Sequence, residues 1–346
     1  MQSKSLSPVG CGRMPAGIEV SAVGARVDRS QRGVAVIGAG TIGLSWAALF
    51  AAHGFTVRVQ DPRPDVGPEV EAAVRHYAGL QAGAAGAGPE ELLARIEVVG
   101  DVEAAVTGAD VVQENAPERL PLKQELFARI EAAAPERALI ASSTSALMPS
   151  DLAREMRTPE RLVVGHPFNP PEVLPLVEVV PGERTAPWAV EAAVAFYRSV
   201  GKKPVVLHKE VGGFVANRLQ STLFRECVWL VSQGVVSAAE LDEIVSESIG
   251  IRWATAGPFE SFHLGGGPGG MRHFLEHLGP GMARRWKVVE QPELDEATVE
   301  LISSQVEERF AGRGYEQLTE ARDRAQLAVI EARDAVRDDT ARDGQD

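Results

Sequence analysis

At 346 residues, 45% of them apolar, the chain is longer than one hydrophobic core usually grows and can bury about two. A net charge of −13 and a pI near 5.1 count against nucleic acid or an anionic membrane as a partner, because neither is attracted to an acidic surface. No apolar run approaches the ~20 residues that span a bilayer, and Cys11 and Cys227 are too few and too far apart for a disulfide framework or a metal site. The expectation is a cytoplasmic protein of two domains without a metal.

Residues 1–32 are polar and Gly-rich, lack the apolar core of a signal peptide, and read as a disordered leader. Gly33 to Ile37 then reads as a short buried strand. Gly38-Ala39-Gly40-Thr41-Ile42-Gly43 follows and opens an apolar helix through Leu44, Trp46, Leu49 and Phe50. A second strand, Thr56 to Gln60, ends at Asp61. Strand, glycine loop, helix, strand and acid in that order form a dinucleotide fingerprint. Gly38 permits the tight turn, Gly40 lets the backbone approach a pyrophosphate, and Gly43 allows close packing of helix on strand. The amides of Thr41 and Ile42, at the helix N-terminus, face the phosphates. Asp61 is placed to hold the ribose hydroxyls of NAD, with Arg63 as the residue that would instead favour a 2′-phosphate.

After Asp61, strands are predicted at Ile96 to Val99, Asp110 to Gln113, Ala138 to Ala141, Leu162 to Gly165, Leu176 to Val180 and Pro204 to Leu207. Helices are predicted at about Glu69 to Ala82, Val102 to Thr107, Leu120 to Ala133, Ser150 to Glu155 and Pro187 to Val200. Ala82 to Gly88 reads as an Ala/Gly turn. This alternation builds a largely parallel, doubly wound α/β sheet of Rossmann type over residues 33–210. Ser142 to Ser145 ends a strand at the C-terminal edge of that sheet, where open α/β folds bind ligands. Ser145 is a candidate to hydrogen-bond a substrate oxygen, and Ser150 reads as a helix N-cap.

The run Gly165-His166-Pro167-Phe168-Asn169-Pro170-Pro171 precedes an apolar strand that contains Glu178. A carboxylate flanked by branched apolar residues needs a partner. The Pro-rich turn can fold the chain back and bring Glu178 beside His166, an acid/base pair poised near working pH. Beyond Gly212-Gly213 the pattern becomes wholly helical: Phe214 to Gln233, Ala238 to Ser248, Met271 to Leu278, Leu294 to Phe310 and Tyr315 to Arg337. Residues 211–337 are therefore expected to form an all-helical domain for substrate and dimerisation, and residues 338–346 a frayed tail. Asn217, one turn into its first helix, can lean into the interdomain cleft.

These motifs make the chain resemble the 3-hydroxyacyl-CoA dehydrogenase family from Val34 to about Arg285. By that resemblance Ser145, His166, Glu178 and Asn217 match the residues around the reacting carbinol. Glu118 and Lys123, in the stretch from Glu114-Asn115-Ala116-Pro117-Glu118 onward, resemble residues flanking the nicotinamide ribose, and Asn169 matches the His-Pro-Phe-Asn-Pro motif. The family implies NAD, hydride transfer and a homodimer assembled through the helical domain, whose stripe of Leu219, Leu223, Val228 and Leu230 points the same way.

Two departures set the chain apart from its acyl-CoA relatives. Those relatives carry a lysine-rich hairpin after the second strand, which engages CoA phosphates. Here Asp65 to Ala94 holds Arg75 as its only fixed cation against five carboxylates. The His-Pro-Phe-Asn-Pro-Pro form and Gly250-Ile251-Arg252-Trp253-Ala254 resemble the branch with L-gulonate 3-dehydrogenase, lambda-crystallin and L-carnitine dehydrogenase. The resemblance therefore implies a small free 3-hydroxy acid as substrate. Arg252, Arg272, Arg284 and Lys287 are candidates for its carboxylate, and Trp253, Phe259, Phe262 and Trp286 for a quaternary ammonium. The alternatives are a CoA or carrier-bound thioester and, more remotely, a structural protein of crystallin kind.

Overall fold

The computed structural model describes residues 33–80, 87–288 and 291–343. The predicted leader with Cys11, positions 82–86 of the predicted turn and residues 344–346 lie outside the described residues.

β1 (Gly33–Ile37) runs through the glycine loop into α1 (Thr41–Ala52) and pairs in parallel with β2 (Thr56–Gln60). Then come α2 (Gly67–Leu80), α3 (Pro89–Leu93), β3 (Ile96–Val99), α4 (Val102–Val106), β4 (Val111–Glu114), α5 (Leu120–Ala133), β5 (Leu139–Ser142), α6 (Pro149–Leu152), β6 (Leu162–Pro167), β7 (Leu176–Pro181), α7 (Pro187–Ser199) and β8 (Lys203–Val206). They form one eight-stranded sheet in the order β3-β2-β1-β4-β5-β6-β7-β8. Every neighbouring pair is parallel except β6 with β7. The order reverses between β1 and β4, which opens a crevice at the C-terminal ends of those strands.

Side chains alternate along each strand, so the sheet feeds two cores. Val34 and Val36 join Trp46, Phe50, Val57, Val59 and Tyr197 on one face, while Ala35 and Ile37 join Val112, Phe127, Ile140 and Phe214 on the other. Helices cover both faces, which is why the strands read as nearly continuous Val, Ile and Ala. Trp46 is fully buried and stacks on Phe50 at 5.1 Å between ring centroids.

Beyond β8 the described chain is helical: α8 (Ala216–Ser232), α9 (Ala238–Val245), a π-helical turn (Ser246–Gly250), α10 (Ile251–Thr255), α11 (Pro258–Gly265), α12 (Gly270–His277), α13 (Gly279–Trp286), α14 (Glu296–Arg309) and α15 (Tyr315–Asp343). Four helices were not foreseen from sequence: α3, α10, α11 and α13. None exceeds eight residues. Three of them begin with Pro in the first turn, where the missing N–H is harmless but the sequence reads as a loop. α6 also differs. Pro149 opens it, and Ser150, instead of capping it, accepts a hydrogen bond at Oγ from the amide of Glu183 at 2.9 Å.

α15 continues to Asp343, past the predicted end at Arg337, and lies back against the sheet domain. Lys203 of β8 pairs with Asp334 at 2.9 Å, and His76 of α2 sits 3.5 Å from the buried Asp323. Among the described residues no helix is long and apolar enough to cross a membrane.

Candidate active site

At the crevice, Gly38 adopts φ +94°, a left-handed conformation that a side chain would strain. A Cβ on Gly43 would stand 1.9 Å from the carbonyl oxygen of Gly38, so only glycine lets α1 seat against the turn. A Cβ on Gly40 would meet nothing within 4 Å: the space before the helix N-terminus is open, as the approach of a pyrophosphate requires. Thr41 and Ile42 open α1 beside it. The adjoining cavity, about 750 Å³, is lined by this loop, Asp61, Arg63, Asn115, Ala116 and Pro117 among others.

Asp61 follows directly on β2 and lines that cavity. Its Oδ2 accepts from the amide of Ala39 at 2.8 Å and its Oδ1 from Nε of Arg63 at 2.8 Å. Burial alone would raise its carboxyl, but the bonds from Arg63 and Ala39 outweigh it and hold the group below its ordinary value. Arg63 also binds Glu69 and the carbonyl of Ala39, so its charge is already engaged by two carboxylates. The loop, the open helix end and the terminal acid fit a dinucleotide of the NAD type.

A second polar cluster lies under the ends of β4 and β5. Glu114 and Lys123 form a fully buried ion pair at 2.7 Å. Glu114 also accepts from Ser142 Oγ and the amide of Ala116, both at 2.5 Å, and Lys123 donates to the carbonyl of Ala116 at 2.9 Å. Such a pair survives burial only when the remaining donors and acceptors are met, as here. Lys123 thus lies beneath the cleft, with its Nζ 3.7 Å from Glu118 Oε2. Glu118 in turn holds the Ser145 loop: Oε1 accepts from Thr144 Oγ1 and, at 3.0 Å each, from the amides of Ser145 and Ala146. Burial raises its carboxyl, yet Thr144, the Lys123 charge and those amides bring it below its usual value.

Beside it runs a network that the sequence reading did not find. Tyr197 donates to Gln113 at 2.8 Å, Gln113 to Ser143 at 2.8 Å, and Ser143 to Asn115 at 2.7 Å, while Trp46 Nε1 donates to Ser143 at 3.1 Å. The polar residues after β4 and β5 were its only sequence signal.

His166 and Glu178 stand directly opposite each other across the antiparallel β6/β7 pair. His166 Nδ1 lies 2.9 Å from Glu178 Oε2, with both residues buried. The other carboxylate oxygen accepts from the amides of Val215 and Ala216, each at 3.0 Å, at the N-terminus of α8. Burial pushes Glu178 up, but His166 and the two amides more than offset it and leave the carboxyl below its ordinary value. A carboxylate so held accepts from Nδ1–H, and the tautomer so fixed leaves Nε2 to act as a base. Phe168 and Phe214 wall the imidazole, at 5.3 and 5.4 Å between ring centroids. Phe214 has φ +49°, a strained conformation for a bulky residue, immediately before the two amides that bind Glu178.

The other expected residues lie on the elements that adjoin this pair, without bonding to it. Ser145 is exposed in the loop after β5, next to β6. Asn217 is half-buried in the first turn of α8, whose start is fixed by Glu178. Met148, three residues after Ser145, approaches Gly212 just before α8: a Cβ on Gly212 would meet it at 3.7 Å. Asn169 is exposed in the β6/β7 loop, beside a cavity of about 400 Å³ that also touches Thr41.

Comparison with known proteins places the chain in a family. The NAD-binding domain model of 3-hydroxyacyl-CoA dehydrogenase matches residues 33–211, and the C-terminal domain model of the same family matches residues 213–304. L-carnitine dehydrogenase of Streptomyces griseus is 45% identical over 303 residues, 87% of this chain and 90% of that protein. The Pseudomonas aeruginosa protein of that name is 43% identical over 311 residues, 90% of this chain and 95% of its own. Among solved structures, an NAD+-dependent 5-formyl-3-hydroxy-2-methylpyridine 4-carboxylic acid 5-dehydrogenase superposes with a TM-score of 0.71 at 29% identity, covering 88% of this chain and 98% of the other. The chain belongs to the 3-hydroxyacyl-CoA dehydrogenase family and is an NAD-dependent oxidoreductase acting on a CH–OH group.

Proposed function

We propose that the chain oxidises, reversibly, the 3-hydroxyl of a small free 3-hydroxy acid, with L-carnitine as the first substrate to test. The observation that carries the reading is the buried His166–Glu178 pair at the C-terminal edge of the sheet. His166 Nε2 takes the hydroxyl proton, and Glu178 stabilises the imidazolium that results. Ser145 and Asn217 position the carbinol oxygen. Gly38, Gly40, Thr41, Ile42 and Gly43 hold the pyrophosphate, Asp61 the adenosine ribose, and Glu118 and Asn169 the nicotinamide side, with Lys123 acting through Glu118. NAD, when bound there, supplies the hydride acceptor.

The free acid is favoured over a CoA ester by the segment from Asp65 to Ala94. Arg75, its only fixed cation, is bonded to Glu71 at 2.7 Å and Glu90 at 2.9 Å, which leaves little positive charge for phosphates. L-carnitine is favoured by the relatives named for it, 45% and 43% identical. Among the proposed cage residues, Phe262 is stacked on Phe274 at 4.8 Å, whereas Trp253, Phe259 and Trp286 are exposed. We also propose a cytoplasmic homodimer joined through the helical region.

The test compares kcat/KM for L-carnitine, L-gulonate, 3-hydroxybutyrate and 3-hydroxybutyryl-CoA under one set of conditions. A preference of about tenfold or more for the thioester, worth roughly 1.4 kcal/mol in the transition state, would overturn the free-acid reading.

A further inference from the structure

The loop from β6 to β7 carries Asn169 and leaves the strand that presents His166. It is rich in proline, so it has few amides with which to fix itself. Within it, Val173 and Leu174 donate to the carbonyl of Pro170 at 3.1 and 3.0 Å. The carbonyls of Pro171 and Leu174 are satisfied from elsewhere, by Nζ of Lys202, at 3.0 Å to Leu174. Lys202, just before β8, is only 6% exposed. Its ammonium stands 5.8 Å over the ring of Trp46, whose Nε1 bonds Ser143 in the polar network under the cleft.

No described carboxylate forms an ion pair with this ammonium. Glu172 of the same loop acts on it only at longer range. The other titratable groups around the adjoining cavity are His53, Tyr77, Lys203 and Asp334. Burial draws the amine down to about 8. An ammonium desolvated without a close counter-ion is a poor way to stabilise a fold, since an apolar side chain of similar length fills the space more cheaply. The charge is explained by what it holds.

We propose that Lys202 is a positioning residue: its ammonium ties the Pro170–Leu174 turn to the sheet and so fixes Asn169 and the end of β6 with His166. The proposal rests on the functional reading above for its catalytic consequence, not for its structural one.

The test uses the full-length K202M and K202R variants. Four quantities are measured: melting temperature, NAD affinity by calorimetry, kcat and KM with the best substrate of the panel, and amide exchange. In K202M, kcat is expected to fall about tenfold or more and NAD affinity, through the loosened Asn169, by a smaller factor, with Tm within about 5 °C of wild type. Exchange should rise at residues 168–175 while β1 and β2 stay protected. K202R, which keeps a donor with its charge, should restore most of kcat. Wild-type turnover in K202M, a K202R variant as slow as K202M, faster exchange spread evenly over the sheet, or failure of K202M to fold would each overturn the proposal. If the wild-type chain oxidises none of the free acids, the functional reading fails, while the exchange and affinity measurements still decide the role of Lys202.

Discussion

The sheet domain and the helical region solve the burial problem differently. In the sheet domain, Trp46, Phe50, Phe127 and Tyr197 are fully buried, and buried polar groups such as Gln113, Glu114 and Lys123 have their partners. After α8 begins, the buried apolar side chains among the described residues are Val228, Val231, Leu241 and Phe274, while Phe259 is 82% exposed, Trp286 67% and Leu219 63%. The first region closes its own core. The second presents apolar surface of the kind that marks an interaction site. A substitution should therefore be felt as stability in the sheet domain and as assembly or substrate recognition in the helical region.

The largest effect expected is at the junction of the two. His166→Gln keeps the size of the side chain but removes the base, so kcat should fall by ~10²–10⁴ while NAD affinity, measured by calorimetry, is unchanged. Near-normal turnover would take His166 out of the mechanism. Next is Lys123→Met in the sheet domain, which strands the Glu114 carboxylate without its counter-charge. A buried pair broken on one side loses about 3–5 kcal/mol, readable as a shift in the urea midpoint. Equal loss from Phe259→Ser, expected within roughly ±0.5 kcal/mol for an exposed site, would erase the contrast between the regions.

Assembly gives the converse case. Phe224→Asp places a charge on an exposed apolar position of α8 and should move the light-scattering mass from dimer to monomer without altering the stability of the sheet domain. A monomeric wild-type protein at micromolar concentration would refute the dimer itself.

The smallest effect is in acid. Asp61, Glu118, Glu131 and Glu178 are held below their ordinary values, 3.8 for the first and 4.5 for the others. Groups so depressed contribute stability that is fully present above the unfolded value and is lost as pH falls through the folded one. As pH falls below about 4.5, amide protection should therefore decline in β1, β2 and β5 to β7 before it declines in α9 and α14. In those two helices the depressed carboxyls, Glu240 and Asp295, are surface caps. Simultaneous loss would mean that the two regions unfold as one unit.

The chain order alone determined the dinucleotide fingerprint from Gly38 to Asp61, because turn, helix start and strand end are local features with their own residue chemistry. It also offered His166 as the partner that Glu178 needs. A carboxylate in an apolar strand has few solutions, and the Pro-rich turn leaves one near at hand. Only the tertiary structure decided what holds that pair. The amides of Val215 and Ala216 reach Glu178 from 37 and 38 residues away, and Tyr197 meets Gln113 across 84. Neither contact has a periodicity to read. The Lys202 tie and the return of α15 onto α2 were hidden for the same reason. The Glu114–Lys123 pair, only nine residues apart, was hidden because its burial is not local. Charged residues read as surface in a sequence, and they become interior only when distant elements close over them and supply the missing hydrogen bonds.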